Sequence, residues 1–436
     1  MLHEFKVKNY LSFKEEQTLS MEATADKTYE DFFCIEMTPK IKLLKLGLIY
    51  GANASGKSNL LKGLNALNEL VLEAKNNKSE KIERTPFLLD GVSRKENTAF
   101  SISFFIDKVR YIYEISFNDT HIDKEKLQFY PKSRAALLFE RTFNAEKEVS
   151  EIKFGNKLHL SEKDKNVLES NTIKNSTLFS VYNKLNVQNE GLEKALDWFS
   201  MALVNTLKPK DNLTKIANEE VEKSEKNKNF ILEIIKKADF NILDAFFEEK
   251  VEEISDELLD LIQESETLTI NEKEKLLIDS KLKRKALFFL HHTSSAKYSL
   301  PYEAQSDGTK RYYGFAAILT FLIEEKTILP IDEIESSLHF ELINHFLKTF
   351  LANASSSQIL CTTHNIHLLD QDYLRKDAVW FCEKNENGAT ELFSAADFDL
   401  KENDSLFKFY KIGKLGAVPN LGSILLNQYQ IEAESK

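Results

Sequence analysis

Apolar positions along this chain change their period several times, and each change predicts a different element. Leu2, Phe5, Val7 and Tyr10 alternate roughly with polar residues, and Leu44, Leu46, Leu48 and Ile49 form a compact apolar run ending at Tyr50. Both read as strands. Small residues fill Gly51 to Ser58, and then Leu60, Leu61, Leu64, Leu67, Leu70 and Val71 recur at helical spacing. Strand, loop and helix therefore follow in order. From Thr98 to Phe117 the period is two, with Phe100, Ile102 and Phe104 before Tyr111, Tyr113, Ile115 and Phe117. This predicts an antiparallel hairpin turning at Asp107-Lys108. Further strands are expected at Leu127–Tyr130, Ala136–Arg141 and Glu151–Phe154.

Residues from Ser161 to Lys285 are Lys/Glu-rich and helical in pattern, for example Phe230 to Ala238 and Val251 to Leu261. No heptad is sustained, so a compact helical insertion is expected rather than a coiled-coil arm. Strand character returns at Leu287–His292, and a helix follows Ser306. A buried strand at Ile328–Ile331, a helix over Leu338–Leu351 and a second buried strand at Gln358–Thr362 come next. The tail adds a strand at Ala378–Glu383 and a hairpin from Asn385–Gly388 to Phe393, with no internal repeat. This divides the chain into an N-terminal half-domain (1–160), an insertion (161–285) that serves dimer or partner contact, and a C-terminal half-domain (286–436). Pro330 is unusual inside a central strand.

Composition narrows the class. A chain of 436 residues with 42% hydrophobic and 29% charged residues is an ordinary globular protein of two domains, or of one large domain with an insertion. Only 13 Gly and 7 Pro exclude collagen-like and largely disordered readings. The net charge of -11 argues against a whole-surface nucleic-acid binder but leaves room for a local basic groove. The three cysteines, Cys34, Cys361 and Cys382, have neither disulfide nor zinc spacing, which fits a reducing cytosol. The segment Met1 to Asn9 has no apolar signal core, and the longest apolar-rich stretch, Tyr312 to Ile323, is too short for a bilayer. A cytoplasmic protein without membrane contact is the expectation.

Four motifs carry chemistry. Gly51-Ala-Asn-Ala-Ser-Gly56-Lys57-Ser58 matches G-x-x-x-x-G-K-[ST] between a predicted buried strand and a helix. Gly51 and Gly56 allow the backbone N–H groups to turn toward phosphates, Lys57 reaches the β- and γ-phosphates, and Ser58 can ligate Mg²⁺. Next, Thr327 to Ile331 is an apolar run that delivers Asp332 and Glu333 at a strand's C-terminal end, where ligands sit in open α/β sheets. Asp332 would hold the metal through water, and Glu333 would polarise the attacking water. In isolation, such a pair more often caps the next helix. Gln358 to Thr363 then leads into His364, either an ordinary histidine at a strand end or a γ-phosphate sensor on the neighbouring strand. Finally, Gln305-Ser306-Asp307-Gly308-Thr309-Lys310 is by itself an ordinary N-cap and, in company with the other three, a second anion site.

The order of these motifs resembles an ABC-type ATPase head of the SMC, Rad-fifty and RecF group. Asn9-Tyr-Leu-Ser-Phe13, Gly51 to Asn59, Ser306-Asp-Gly-Thr309, Asp332-Glu-Ile-Glu-Ser-Ser-Leu-His339 and Thr363-His-Asn365 are similar to the bacterial abortive-infection ATPases called AAA-fifteen or RloA-like. These are related to the ATPase half of the OLD (overcoming-lysogenization-defect) nucleases. Trp380 to Lys384, Gly388 to Leu392 and Lys414 to Pro419 add to the resemblance, and 161–285 contribute little. The resemblance implies an α/β, SMC/RecF-like head with an antiparallel β lobe and a helical insertion. It implies ATP and Mg²⁺, with Asn53, Ser55, Gly56, Lys57, Ser58 and Asn59 in the nucleotide loop and Phe13 packed near the base. It further implies that Ser306, Gly308 and Thr309 contact the γ-phosphate on another protomer, that Ser336–His339 lie at a dimer contact, and that His364 is the switch histidine. Gln305 stands where the family usually has an acidic residue, and Gln128 is the candidate for the glutamine loop.

OLD-type relatives carry a toprim nuclease after the head. Here Glu383 and Asp397-Phe-Asp399 offer the residue types, but too little chain follows His364 for another α/β domain. Asp397 and Asp399 are therefore read as solvated loop carboxylates, and any nuclease as a separate protein. Lys281 to Lys285 and Lys208-Pro-Lys210 read as solvated helix faces and as the first places to seek a nucleic-acid contact. The functional expectation is a slow, homodimeric or higher even-numbered ATPase switch of an anti-phage module that controls a separate effector. The alternatives are a RecF-like DNA repair ATPase and a nearly inactive ATP-binding scaffold for a toxin complex.

Overall fold

The period-two stretches of the N-terminal part assemble into one antiparallel sheet. Its strands are β1 (Leu2–Lys8), β2 (Gln17–Ser20), β6 (Thr98–Ile106), β7 (Val109–Phe117), β8 (Ile122–Tyr130), β9 (Ala136–Asn144) and β10 (Val149–Phe154), in the order β10-β9-β8-β7-β6-β1-β2. The expected turn falls at Asp107 and Lys108, both left-handed at φ 45° and 67°. Two positive φ angles are what a two-residue hairpin turn demands, because that turn's twist matches the strands it joins. The computed structural model describes residues 1–238, 240–253, 281–400 and 404–419.

A second sheet holds the continuous apolar runs. It contains β5 (Leu46–Tyr50), β14 (Ile328–Ile331), β15 (Gln358–Thr362), β16 (Val379–Lys384) and β17 (Thr390–Ser394), in the order β14-β15-β5-β16-β17. The first four are mutually parallel and β17 is antiparallel. Every residue of β5, β14 and β15 is buried, as expected of parallel strands covered on both faces. A small ribbon of β3 (Cys34–Thr38) and β4 (Ile41–Leu44) precedes β5. Helix α1 (Lys57–Leu72) follows the loop after β5 and buries the predicted leucine stripe.

Pro330 fits because β14 is the last strand of the ladder. The Pro330 carbonyl faces away from β15 and accepts from Leu207 N at 2.9 Å. In a parallel strand the N–H and C=O of one residue point the same way, so the missing donor also lies on that outer side. There the irregular segment Leu203–Leu207 runs alongside through isolated bridges to Ile328 and Ile331.

By backbone proximity the described chain forms two units. One is Met1–Lys210 with Glu325–Ser336 and Leu351 onward; the other is Asp211–Glu324 with Ser337–Phe350. In the first, Gln358 stitches the two sheets together. Its side chain is fully buried, accepts from Leu2 N at 2.6 Å, and donates to Leu2 O at 3.0 Å and Leu44 O at 2.9 Å. The segment after β10 is fastened by a buried ion pair, Glu125–Arg141, at 3.2 Å. Glu125 also accepts from Leu178 N at 2.9 Å, and Arg141 donates to Ile173 O at 2.9 Å.

The second unit corrects the helical reading of the insertion. Helix α2 (Glu225–Lys237) forms where Phe230 to Ala238 predicts it, but β11 (Ile242–Glu253), β12 (Lys281–His292) and β13 (Lys297–Pro301) make an antiparallel sheet. Val251 to Glu253 are thus strand rather than helix, and 254–261 lie outside the described residues. Register partners more than thirty positions apart, such as Ala245 with Phe289, override local helical propensity. Lys281–Lys285 are likewise strand, and Lys285 is paired with Glu222 at 2.6 Å. Helix α3 (Asp307–Glu324) is the core of this unit, with Phe315 against Phe346 at 4.8 Å and Tyr312 Oη 2.6 Å from His345 Nδ1.

Replacing Gln358 by Met would leave the Leu2 N–H, the Leu2 carbonyl and the Leu44 carbonyl short of partners in the interior. Unsatisfied buried groups cost about 1–3 kcal/mol each before relaxation. Urea denaturation is expected to show a loss of about 2–4 kcal/mol, whereas a surface control such as the exposed Gln188→Met stays within about 0.5 kcal/mol of wild type.

Candidate functional site

The C-terminal ends of β5, β14 and β15 bring the predicted residues to one place. After Tyr50 the chain enters Gly51–Gly56, with Ala54 left-handed at φ 63° and Gly56 at φ 111°, and Gly56 caps α1. Lys57 turns back into this loop, and its ammonium donates to Gly51 O at 2.8 Å and Ala52 O at 3.0 Å. Ser55 is buried, and its hydroxyl has no partner among the described residues. Asn53 is exposed at the tip. Gly56 has no room for a side chain: a Cβ there would lie 2.2 Å from Thr390 Oγ1 and 2.7 Å from Ser12 Oγ.

Asp332 is the meeting point of three segments. Its Oδ1 accepts from Ser58 Oγ at 2.8 Å and from Thr362 Oγ1 at 2.6 Å. The Thr362 hydroxyl in turn accepts from Glu333 N at 2.8 Å. Glu333 is left-handed at φ 50° and its side chain is exposed. On the neighbouring strand end, His364 N donates to Glu335 Oε1 at 2.5 Å.

Electrostatics tie His364 to the loop. Burial lowers the His364 pKa from its ordinary value, and the Lys57 ammonium lowers it further, against the pull of Glu335, Glu333 and Asp332. Burial likewise lowers the Lys57 pKa, and the same three carboxylates oppose it. His364 is therefore neutral near pH 7, able to accept or donate a hydrogen bond without adding positive charge.

The residues fit a magnesium nucleotide. Mg²⁺ is commonly held by one or two carboxylates, waters and substrate phosphates rather than by an all-protein cage. Ser58 Oγ and Asp332 Oδ1 supply hard oxygen ligands side by side, and no cluster of three or more His, Cys, Asp or Glu able to hold a metal occurs among the described residues. The orphaned Ser55 hydroxyl and the inward Lys57 match an anionic ligand in the loop.

Phe13 does not line the site: its ring is fully buried, because the turn that pairs Tyr10 with Phe13 directs it into the core. Its neighbour Ser12 reaches the loop instead, accepting from Asn59 Nδ2 at 2.9 Å and lying 2.8 Å from Thr390 Oγ1. Ser306, Gly308 and Thr309 belong to the second unit, where Ser306 is an exposed N-cap of α3 accepting from Thr309 N at 3.1 Å. Gly308 approaches Ser337 O so closely that a Cβ would lie 3.2 Å away. Gln128 lies in β8. Asp397 and Asp399 are exposed, and Asp397 caps its own turn by accepting from Ser394 N at 2.8 Å.

Sequence reasoning missed Glu335, Thr362 and Thr390. Glu335 had a signal in its place two residues after Glu333. Thr390 had none, since its 2.6 Å bond to Ser55 O joins positions 335 apart in the chain.

Residues 48–370 match the family described as "AAA domain, putative AbiEii toxin, Type IV TA system". The chain belongs to this family. None of the curated proteins compared with it matches. Among solved structures it is similar to the SMC head domain from Thermotoga maritima, at 12% identity and TM-score 0.40, covering 90% of this chain and 98% of that one. It is also similar to an Smc head bound to the C-winged helix domain of ScpA, at 11% identity and TM-score 0.41, covering 90% and 97%. An Smc head with an extended coiled coil bound to the C-terminal domain of ScpA from Pyrococcus furiosus matches at 13% identity and TM-score 0.37, covering 95% and 98%. The Gly51–Ser58 loop follows β5, which is central in a largely parallel sheet beside the antiparallel one. In this AAA family member, no helix among the described residues is long and apolar enough to cross a membrane.

The His364 environment yields a titration test. In the full chain, His364 is expected to titrate below the ordinary histidine value, measured by NMR of ring-labelled histidine with His364→Gln for assignment. Lys57→Met removes the charge that lowers it, so the His364 pKa moves upward. Because the folded value is depressed, the neutral ring's contribution to stability is present above the ordinary histidine pKa and is lost as pH falls from there through the lowered folded value.

Proposed function

We propose that the chain is an ATP-hydrolysing switch that acts as a dimer and controls a separate effector in an abortive-infection or toxin–antitoxin module of the RloA-like, OLD-related kind. The observation that carries the ATPase reading is the Ser58–Asp332–Thr362 junction beside the Lys57 loop. Ser58 and Asp332 would hold Mg²⁺, which when bound neutralises charge on the phosphates. Lys57 exchanges the loop carbonyls for the β- and γ-phosphates. Glu333, exposed at the strand edge, orients and deprotonates the attacking water, and neutral His364 contacts the γ-phosphate. Family membership supports the toxin–antitoxin setting, and the effector is a partner of unassigned identity, for which a toprim-type nuclease is one chemistry.

Ser306, Gly308 and Thr309 are assigned to the nucleotide of a second copy. A helix N-terminus with free N–H groups and an exposed hydroxyl is suited to an anion. In a two-fold dimer each copy gives this helix start to the other's triphosphate. ATP then drives closure by contacts made only in the closed state, and hydrolysis releases them.

Glu333→Gln is expected to bind ATP with near wild-type affinity while hydrolysis falls by about 10² or more. Wild-type turnover in this variant would refute the role given to Glu333. A second expectation concerns sharing. Lys57→Ala and Ser306→Arg are each inactive alone. Mixed in equal amounts with verified subunit exchange, half the dimers carry both lesions in one composite site and leave the other intact, so about a quarter of wild-type ATPase activity returns if the sites act independently. Full activity of wild type as a monomer at high dilution would eliminate the shared site.

A further inference from the structure

At the opposite ends of the strands that carry the site lies a cavity of 510 Å³, formed within the first unit. Lys326 and Thr327 on its wall lead directly into β14, and Ser356 stands just before β15. The C-terminal ends of the same two strands deliver Asp332 and Thr362. The remaining wall is apolar: Ile35, Met37, Phe105, Trp198 and Met201 contribute, together with Met1.

Three features make this wall unlike ordinary packing. The chain has four methionines, and three of them, Met1, Met37 and Met201, line this cavity. The fourth, Met21, packs against Gly47 and Leu360 elsewhere. Flexible thioethers adapt to ligands and favour aromatic faces. Met201 is 70% exposed, an unusual place for an apolar side chain without a partner. Trp198 begins a single π turn, Trp198–Ala202, a distortion frequent at functional sites. Its ring is fixed by stacking on Phe104 at 4.0 Å. The rim is charge-balanced, with Lys326 paired to Asp107 at 3.0 Å and Lys194 to Glu190 at 2.7 Å. It therefore exerts little net pull on a charged ligand.

We propose that this cavity binds a small aromatic molecule, and that its occupancy biases the nucleotide site. The volume suits a small molecule, for which pockets span about 300–1,000 Å³. A stable protein interface instead needs about 800 Å² on each partner. The route to the site is a backbone one. After the π turn, Leu203–Leu207 runs beside β14, with Val204 N donating to Ile328 O at 3.2 Å and Leu207 N to Pro330 O at 2.9 Å. The same segment ends where Asp332 N donates to Leu207 O at 2.8 Å. A ligand that shifts the Trp198–Ala202 wall thus moves a segment bonded to the metal-binding aspartate. Spatial continuity alone is no proof of coupling, so coupling is measured separately.

The test uses the full chain labelled with ¹³C-methyl methionine, which gives four methyl signals, and 1-anilinonaphthalene-8-sulfonate as the probe. The signals of Met1, Met37 and Met201 are expected to shift saturably, with Met21 unmoved as the internal control. The shifts persist in Lys57→Ala, which separates this cavity from the nucleotide loop. Met201→Glu at the exposed mouth and the uncharged, space-filling Ser356→Trp each weaken the probe at least tenfold with melting temperature unchanged. Saturating probe changes ATP affinity at least threefold in wild type and not in Met201→Glu. The coupling arm rests on the ATP reading above, but the methyl shifts do not, so failure of one is distinguishable from failure of the other. No saturable shift, or equal movement of Met21, overturns the ligand site. Saturable shifts with unchanged ATP affinity overturn the coupling. Probe affinity that falls as protein concentration rises would show a second copy covering the cavity, and overturns the small-molecule assignment.

Discussion

One carboxylate oxygen organises this site. Asp332 Oδ1 receives the Ser58 hydroxyl from the loop after β5 and the Thr362 hydroxyl from the end of β15. Three segments distant in sequence are thereby fixed within hydrogen-bond reach. The Thr362 hydroxyl also accepts the Glu333 N–H, which holds that residue in its left-handed turn. Such a conformation costs an ordinary side chain about 1–2 kcal/mol. It persists because its N–H is held by Thr362 Oγ1 and its carbonyl accepts from Ser336 N at 2.9 Å, and its effect is to leave the Glu333 carboxylate exposed at the sheet edge beside Asp332.

The phosphate loop depends equally on the tail of the chain. Gly51 and Gly56 are explained in the sequence by the need to turn N–H groups inward, yet each also meets a neighbour that no side chain could tolerate. A Cβ at Gly51 would lie 2.4 Å from Cys382 O, and one at Gly56 would lie 2.2 Å from Thr390 Oγ1. Strands β16 and β17 therefore brace the loop from behind. Thr390 adds its bond to Ser55 O and its contact with Ser12. The loop that must hold phosphates is preorganised by residues far outside its motif, as a binding loop on a rigid scaffold requires.

The boundary between what could and could not be read in the sequence follows from range. Gly51–Ser58, Asp332-Glu333 and His364 were legible because each sits where a buried apolar strand ends, and local pattern reports strand ends. The β6–β7 hairpin was legible for the same reason. Phe13 was misplaced because its aromatic character says nothing about which way a four-residue turn sends the ring. The sheet of β11, β12 and β13 was invisible because Ile242 to Glu253 lacks strict alternation and is held by partners at 281–291. Pro330 looked like an argument against a central strand, and it was a correct signal of β14's position at the edge.

Charge balance makes the last step. The site places one lysine against three carboxylates, Asp332, Glu333 and Glu335, all close enough to influence His364. His364 itself is held neutral, so it offers no charge to a triphosphate. Lys57, the loop N–H groups and the start of α1 cover one side of such a ligand, and Lys57 must first leave two carbonyls of its own loop. An anion with the charge of a triphosphate is not balanced by a single lysine among three carboxylates. On the reading proposed above, that deficit would be met by a divalent cation held at Ser58 and Asp332 and by donors that this loop does not itself contain. In the dimer proposed above, the helix start of a second copy would offer such donors, with Lys310 offsetting Asp307 in the same turn. On that proposal, binding of nucleotide and association of two chains are the same electrostatic event.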